Sequence, residues 1–469
     1  MAWRDAVMPL PMIRVAVVTP EWAMRDTLRH VADAGVMEID RVVAESDLPP
    51  SAPARALTRL KPDGPVVPRL AAEAPDLEAL VRAGRADLLA GEAELIHYAA
   101  QAVRDDDVGA LVGWTPAPAF ADLSKRLTPL GAAVVPLPRP RGVTPPTAER
   151  PGRTRQAFAP LVRTYATVPY ADVDPTVVAG LAYVVMFGAM FGDAGHGALL
   201  LLAGLLIRAG RPRRLAGLRP HWLFVAAAGL ASMLFGLAYG EFFGPTGVVP
   251  VLWLAPMEHP VPLLLAGVGL GVVLLAGAYA IGTVNRVREG GWRLALYAPS
   301  GIAGALLFLA AGLGVAAWYL SKSWLAGAAG ALAAVGLALA YAGLVARAGG
   351  GGAGVLQAAI ELLDVVIRLG TNVVSFARLA AFGLTHAVLG WIVWTATTGL
   401  AGNGIAAAVA AVGVFVVGNA VSFGLEALVA GVQALRLEYY ELFSRVFQSE
   451  GRPFQPWHVA VEEESCPRG

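Results

Sequence analysis

Residues 372–382 place an arginine inside an apolar sequence, and their order is Asn372–Val373–Val374–Ser375–Phe376–Ala377–Arg378–Leu379–Ala380–Ala381–Phe382. The apolar stretch around them, 354–396, is long enough to span a bilayer. Because a guanidinium stays protonated at any ordinary pH, placing Arg378 there costs roughly 2.5–3.5 kcal/mol on insertion scales. Arg436 lies in another long apolar segment. Two such arginines indicate that an anionic group comes close to them.

The composition is that of an integral membrane protein. Of the 469 residues, 56% are hydrophobic and only 15% are charged. Residues 1–172 carry the charge of a soluble protein, 173–450 are dominated by Ala, Leu, Val and Gly, and 451–469 form a polar tail, so we predict three regions with these bounds. The formal net charge of +1 without a basic face argues against nucleic-acid binding. Cys466 is the single cysteine, which excludes an intramolecular disulfide.

Six apolar segments after residue 208 are long enough to span a bilayer. Arginines mark the loops on the cytoplasmic side, whereas the loops 244–260 and 397–402 contain no Lys or Arg. The alternation requires 175–208 to begin and end in the cytoplasm, so we predict two short helices that turn at 192–197. The alternative is one long tilted helix, which places the N-terminal part outside. The six segments are 220–243, 262–285, 296–320, 324–346, 354–396 and 403–435.

The N-terminal part has the pattern of a small α/β lobe joined to the membrane by helices. It contains no phosphate loop, no zinc-ligand spacing and no nucleophile elbow. We therefore expect no cofactor, no metal and no direct nucleotide binding, and a docking or mechanical role. The predicted strands are 11–18, 35–44, 109–114 and 131–137, and the predicted helices are 20–34, 75–105 and 117–130.

Ionisable side chains accompany the two arginines along the last two apolar segments. On a continuous helix, Asp364 lies about 21 Å to the cytoplasmic side of Arg378, and His386 lies about 12 Å to the outer side. In the last segment, Glu426 lies about 15 Å outward of Arg436. Carboxylates and histidine exchange protons near physiological pH when their surroundings tune them, and arginine does not.

This order predicts two paths for an ion, separated by the arginines. Asp364 with Glu361 would line an inner path, and Glu426 with His386 an outer one. Simpler interpretations exist for each group. Glu361 and Arg368 can be interfacial residues, His386 a packing histidine, Glu426–Arg436 a structural ion pair, Arg378 a purely structural residue, and Asp193 and His196 structural residues at the turn.

Four motifs carry a resemblance to one membrane-protein family. On them, the chain resembles the membrane stator subunit of V-type and archaeal-type rotary ATPases, called subunit a or subunit I. The motifs are Tyr170–Ala171–Asp172–Val173–Asp174–Pro175–Thr176 with Met190–Phe191–Gly192–Asp193–Ala194–Gly195–His196–Gly197; Phe235–Gly236–Leu237–Ala238–Tyr239–Gly240–Glu241–Phe242–Phe243–Gly244; Ser375–Phe376–Ala377–Arg378–Leu379 with His386; and Glu426 with Gln433–Ala434–Leu435–Arg436–Leu437, closing on Glu450–Gly451–Arg452–Pro453–Phe454–Gln455–Pro456.

The resemblance implies a polytopic α-helical membrane protein of about eight helices, the last two long and tilted, with a cytoplasmic N-terminal lobe and helical arm. It implies that Arg378, with Ser375 in the same motif, faces the carboxylates of a rotating proteolipid ring, assisted by Arg436. It places Asp364 on the cytoplasmic half-channel, and His386, Glu426 and Gln433 on the outer one.

Partners implied by the resemblance are the proteolipid ring, peripheral-stalk subunits, a central-stalk cap subunit and the bilayer of a prokaryotic-type cell membrane. ATP turnover would occur on other subunits. About 170 residues is short for the family's N-terminal arm. The rival hypotheses are a stand-alone secondary transporter with a proton relay and a non-conducting membrane scaffold. The choice between H⁺ and Na⁺, and between pump and synthase, stays open.

Overall fold

The structure is a computed structural model, and it describes residues 8–43, 49–62, 64–211, 213–349, 351–401, 404–447 and 450–462. The chain divides into two compact units. The smaller consists of Pro9–Arg150 with Gly451–Gly469, and the larger of Met1–Met8 with Pro151–Glu450. The division therefore falls at 150/151, and the C-terminal tail groups with the smaller unit. Cys466 lies outside the described residues.

The smaller unit is built on an antiparallel sheet with strand order β2–β5–β1–β6, and β4 pairs with β5. Two helices, α1 and α5, pack on it through residues such as Leu28, Leu123 and Leu127. In this order the strands of two β–α–β units alternate: β1 and β2 belong to the first unit, and β5 and β6 belong to the second. The elements are β1 (Met12–Pro20), α1 (Met24–Ala34), β2 (Glu38–Ile39), β4 (Val103–Asp105), β5 (Val108–Pro116), α5 (Phe120–Leu127) and β6 (Ala133–Leu137).

The smaller unit also contains a short parallel pair of strands, β3 with β7, and β7 lies in the C-terminal tail. The strand expected over 35–44 is reduced to Glu38–Ile39. The helix expected over 75–105 is two helices, because Gly84 adopts a positive φ of 67° directly after the first and ends it. The elements are α2 (Ala52–Leu60), β3 (Arg69–Ala71), α3 (Leu77–Arg82), α4 (Ala86–Ala99) and β7 (Ala460–Glu462).

The larger unit is helical. Within the described residues, six helical stretches are long and apolar enough to cross a membrane, and two apolar helices are shorter. The six coincide with the apolar segments of the sequence, so the chain is a polytopic membrane protein. The helices are α6 (Arg153–Tyr165), α7 (Thr176–Met190), α8 (Ala194–Arg208), α9 (Trp222–Tyr239), α10 (Pro260–Tyr297), α11 (Ile302–Leu320), α12 (Ser323–Arg347), α13 (Gly351–Ser375), α14 (Ala377–Ala401) and α15 (Ile405–Leu437).

The two short helices, α7 and α8, run in opposite directions along α9. Gly188 of α7 lies against Ala231, and the ring of Tyr239 lies close to Gly192, so α7 is parallel to α9. Gly236 lies against the backbone of Ala194 at the start of α8, so α8 is antiparallel to α9. A methyl group on Gly236 would come within 2.1 Å of the Ala194 nitrogen, so the residue has to be glycine. Two short helices are present, as predicted, but the break lies at 191–193, and residues 194–197 of the predicted turn form the first turn of α8.

Helix α10 extends beyond the predicted segment 262–285 and carries Arg286 into the interior instead of a loop. The backbone breaks only at Gly290 and Gly291, where Gly291 adopts a φ of 72°. Arg286 is 1% exposed; its Nη1 lies 2.8 Å from Glu289 and its Nη2 lies 3.9 Å from Asp172. Burial and the nearby Glu289 raise the pKa of Asp172 to about 7, against the pull of Arg286.

The long segment 354–396 is not one continuous helix. Phe376 interrupts it between α13 and α14, and its buried ring packs on Gly271 of α10. The continuous helix on which the separation of Asp364 and Arg378 was predicted is therefore interrupted between them. Helix α15 ends in a π-helical turn, Glu438–Phe443, in which each hydrogen bond spans one residue more than in an α-helix.

Candidate functional site

A cluster of buried ionisable side chains lies where α8, α14 and α15 meet. Asp193, His196, His386 and Glu426 are all less than 10% exposed. Asp193 stands at the N-cap of α8, His196 in its first turn, His386 on α14 and Glu426 on α15. Such groups are costly inside a membrane protein unless they pair, so their convergence marks a functional candidate.

Asp193 is held by the backbone on both sides. Its Oδ1 accepts the His196 N–H at 2.8 Å, which caps α8, and its Oδ2 accepts the Gly244 N–H at 2.9 Å. Gly244 closes the motif 235–244, and its positive φ of 92° brings that loop against Gly390 of α14. The carboxylate therefore ties the α8 start to the loop after α9.

His386 links the carboxylates of two different elements. Its Nδ1 contacts Oε2 of Glu426, and its Nε2 lies 3.9 Å from Oδ2 of Asp193. Glu426 pairs with His386 here and not with Arg436, as the structural ion pair considered from the sequence would require. A hydrogen-bonded packing histidine, the other interpretation of His386, is compatible with this arrangement. His196 lies 3.8 Å from Asp193 through its Nδ1, and its ring centroid lies 5.8 Å from that of His386.

Glu241 lies beside this cluster and is 4% exposed. It interacts electrostatically with Asp193, His386 and Glu426. Asp193, His196 and His386 also have the composition and proximity of a metal-binding group. The sequence predicted no metal site, because spacing rules detect ligands close together in the chain and His386 is distant from the other two. The motifs contained Asp193, His196 and Glu241, but not their meeting with Glu426.

A second set of charges lies on the exposed face of α13. The side chains of Arg368 and Asp364 form an ion pair of 2.7 Å, yet they are 69% and 52% exposed. Glu361 accepts a hydrogen bond of 2.9 Å from the Gln357 amide one turn earlier and is also exposed. These groups stand on a helix of membrane-spanning length without being enclosed by the described part of the chain.

Arg378 lies at the edge of this face, in the first turn of α14. It is half-buried, and a cavity of about 820 Å³ opens beside it, lined by residues that include Leu264, Thr371 and Ser375. Its Nη1 is buried without a hydrogen-bond partner among the described residues. Arg436, on α15, is exposed, and Gln433 one turn before it has an unpartnered Oε1.

Glu441 connects the two arginines and was missed by the sequence reasoning. The π-helical turn brings its carboxylate near Ser375 and into the electrostatic field of both Arg378 and Arg436. Glu441 is 6% exposed. Sequence spacing alone places it five residues after Arg436, and an ordinary α-helix would point it elsewhere. Its only signal was an acidic residue near an apolar segment's end.

Another buried arginine, Arg445, follows the π-helical turn at the end of the last apolar segment. Arg445 lies over the ring of Tyr279 at 5.4 Å, and its Nη2 donates to the Asn372 side-chain oxygen at 3.0 Å once that amide is oriented to satisfy both partners. Asn372 in that orientation also donates to the carbonyl of Arg368 at 3.1 Å. The helical turn that contains Arg445 is therefore hydrogen-bonded to Asn372, near the end of α13.

Fold and site together define a class: a polytopic helical membrane protein with an enclosed ionisable cluster and an arginine-bearing open face. The model of the V-type ATPase 116kDa subunit family matches residues 112–246. Subunit I of the A-type ATP synthase of Thermococcus kodakarensis is 26% identical over 374 residues, 74% of this chain and 54% of the relative. The corresponding subunit of Archaeoglobus fulgidus is 27% identical over 403 residues, 74% of this chain and 58% of the relative.

The V-type ATP synthase subunit I 2 of Treponema pallidum is 31% identical over 209 residues, 38% of this chain and 46% of the relative. The family model and these relatives support the resemblance to the V-type and A-type ATPase subunit family that the four motifs predicted. It spans about half the length of the curated archaeal relatives that it matches.

Proposed function

We propose that the chain is the ion-conducting stator subunit of a rotary ATPase or ATP synthase. Relatives named subunit I of A-type and V-type ATP synthases support the complex. The observation that carries the proposal is the arrangement of Arg378, Arg436 and Glu441 at an open face of membrane-spanning helices. Arginines placed there attract a carboxylate that approaches from outside the chain.

The open face implies a protein partner. Charged side chains at the centre of a bilayer cost several kcal/mol when lipid surrounds them, and Asp364 and Arg368 are more than half exposed. A ring of proteolipid subunits with one carboxylate each would cover this face and pair with Arg378 in turn. A guanidinium opposite a carboxylic acid favours release of its proton.

The two sets of ionisable groups supply the two access paths. Asp364 and Glu361 lead from the cytoplasmic side to Arg378. His386, Glu426 and the neighbouring Asp193 lead to it from the outer side, with Gln433 between Glu426 and Arg436 along α15. Because neither path continues past the arginines, an ion crosses only by riding on the ring. Ion flow is thereby coupled to rotation and to ATP turnover on other subunits.

The remaining parts have supporting roles in this proposal. α7 and α8 complete eight transmembrane helices, with both termini in the cytoplasm. Residues 1–172, which include most of the smaller unit, bind peripheral-stalk subunits and the cap of the central stalk. The site itself holds no cofactor and catalyses no bond cleavage.

The test is ATP-driven acidification of inverted membrane vesicles that contain the assembled complex. Arg378→Ala abolishes acidification with equal amounts of complex, and Arg436→Ala reduces it less. Arg347→Ala is the matched control, because Arg347 is an exposed arginine at the end of a membrane-length helix, α12, away from the site. Undiminished acidification in the Arg378 variant refutes the proposal and favours a scaffold. Ion transport by the chain alone in liposomes favours a secondary transporter.

A further inference from the structure

The segment that joins α8 to α9 is strongly basic and has no acidic residue. Residues 208–221 contain five arginines and one histidine, and the chain has no Asp or Glu between Asp193 and Glu241. By contrast, Arg286, in another arginine-rich stretch, pairs with Glu289 at 2.8 Å. The positive charge of 208–221 is therefore not offset by residues close to it in the sequence.

The described arginines of this segment are exposed and have no acidic partner. Like charges that lie close together repel one another. A guanidinium stays protonated at any ordinary pH, so the repulsion is permanent. The segment therefore attracts an anion from outside the chain. Among the described residues, no carboxylate lies within ion-pair distance of Arg208, Arg211, Arg214 and Arg219.

Two of these guanidiniums are held at the junction of the two helices. Cζ of Arg208, in the last turn of α8, lies 4.9 Å from the ring centroid of Trp222 at the start of α9. The Arg219 guanidinium lies against Gly210, where an added methyl group would come within 2.8 Å of its Nη2. Gly210 adopts a positive φ of 73°, directly after α8. Arg208 and Arg219 therefore lie at the same end of the helix pair.

An exposed apolar stripe runs along α8 up to these arginines. Leu205 and Arg208 are three positions apart, so they are neighbours on the helix surface. A hydrocarbon chain that packs on the leucines would therefore place its polar end at the guanidiniums. An apolar stripe with cations at its end fits an amphiphile better than a free ion. The stripe consists of Leu199, Leu202, Leu205 and Leu206, which are 42–52% exposed.

The orientation of the chain in the bilayer does not account for this arrangement. Arginines beside membrane helices set that orientation, and they do so through their charge alone. Charge alone does not require guanidiniums held at Trp222 and Gly210, or a stripe of leucines that ends at them. Arginine binds phosphate through two parallel N–H bonds, and basic pockets between transmembrane helices bind anionic headgroups.

We propose that the junction of α8 and α9 binds one anionic phospholipid. Its phosphate pairs with Arg208 and Arg219, and its acyl chains lie along the exposed leucines of α8. Arg211 and Arg214 add positive charge around the headgroup, and Trp222 lies at headgroup level, where tryptophan is common in membrane proteins. The bound lipid offsets the repulsion between the arginines and links the end of α8 to the start of α9. The proposal requires a bilayer around the chain and does not depend on the proposed ion path.

The test measures lipid binding to the full chain in detergent by native mass spectrometry. We expect one phosphatidylglycerol per chain, bound more tightly than the zwitterionic phosphatidylcholine. Arg208→Gln and Arg219→Gln should each weaken phosphatidylglycerol binding about fivefold, the contribution of one basic residue near a membrane surface. Arg347→Gln is the matched control, because Arg347 is an exposed arginine at the end of the membrane-length helix α12. Equal weakening in all three variants, or equal binding of the two lipids, overturns the proposal.

Two further measurements separate a lipid from a free anion and locate it. Inorganic phosphate should not displace the bound phosphatidylglycerol, and displacement would assign the arginines to a free anion and overturn the proposal. Phosphatidylglycerol with brominated acyl chains should quench part of the emission of the 11 tryptophans, and brominated phosphatidylcholine should not. Trp222→Phe keeps an aromatic ring beside Arg208 and should remove that part. Undiminished quenching in this variant would place the lipid elsewhere and contradict the proposal.

Discussion

The larger unit contains two sets of charged side chains that differ in burial and in the partners they have. At the junction of α8, α14 and α15, Asp193 is fully buried and surrounded by partners from its own chain. Along α13, Asp364 and Arg368 pair with each other and stay more than half exposed. Both sets occur in helices of similar apolar composition, so hydropathy alone does not distinguish them.

This difference shows which contacts stabilise each set of side chains. The enclosed cluster takes its contacts from its own chain, so its loss weakens folding. The open face contributes little to folding of the isolated chain and derives its importance from what covers it. Stability measurements should therefore separate the two sets, whereas transport measurements should respond to substitutions in both.

The largest effect on stability is expected for Asp193→Ala. Removing this buried carboxylate leaves two backbone N–H groups without their acceptor and takes the negative charge away from two neighbouring imidazoles, which costs about 3–5 kcal/mol. Unfolding of the detergent-solubilised chain by SDS, followed through its 11 tryptophans, measures the loss. A loss below about 1 kcal/mol would mean that the cluster is hydrated, and the comparison between the two regions would fail.

Two glycines give a matched test of close and open packing. Gly236→Ala should cost about 1–3 kcal/mol, because its methyl group would meet the backbone of Asp193 and Ala194. Gly370→Ala on α13 should stabilise the isolated chain by about 0.5–1 kcal/mol, because no atom of the described residues lies within 4 Å of the added carbon. The same unfolding assay applies, and equal effects at the two sites would contradict the packing difference.

A second enclosed carboxyl gives the comparison a pH dependence. The pKa of Asp172, about 7 in the folded chain, lies above its ordinary value of 3.8. The folded state then binds more protons than the unfolded state between these values, so the stability from this group falls as pH rises, by up to about 1.4 kcal/mol per unit. Relative to Asp172→Asn, the unmodified chain should be less stable at pH 7 than at pH 5.

The opposite trend would have a defined meaning for Asp172. If the unmodified chain gained stability over Asp172→Asn as pH rose, the carboxyl would be ionised and paired with Arg286, 3.9 Å away. Unfolding of the unmodified chain and of Asp172→Asn at both pH values, in the same detergent, decides between these two outcomes.

The smallest effect on stability is expected on the open face. Asp364→Ala removes an exposed ion pair one turn long and should change the free energy of unfolding by no more than about 0.5 kcal/mol. In assembled complexes, the same substitution should reduce acidification, because it removes the proposed inner-path carboxylate. A stability loss comparable to that of Asp193→Ala would show that the face is closed within the chain.

Much of the helical fold could be predicted from the sequence. The apolar segments, the break within 175–208 and the strands around Val15 and Leu111 follow from hydropathy and alternation, which depend on neighbouring residues. The interruption at Phe376 and the inward course of Arg286 could not, because both depend on packing partners distant in the chain, Gly271 for one and Asp172 for the other.

The sequence indicated several residues of the candidate site but not the contacts between them. Arg378, His386 and Glu426 stood out as ionisable residues in apolar sequence. Their partners did not, because a carboxylate such as Glu441 has the same composition whether it faces solvent or an arginine. Burial and direction are properties of the folded backbone, and one-dimensional spacing on an assumed regular helix misplaces them wherever that helix changes its pitch.

The π-helical turn Glu438–Phe443 has a consequence for the length of the chain between Arg436 and Arg445. A wide turn acts as a one-residue insertion that shifts the phase of every later residue by about 100° around the axis. Regular α-helical winding over the same residues would turn Glu441 away from Ser375. The charge content of the segment would be unchanged while its arrangement was lost, so in this segment the winding of the backbone governs the chemistry as firmly as residue identity does.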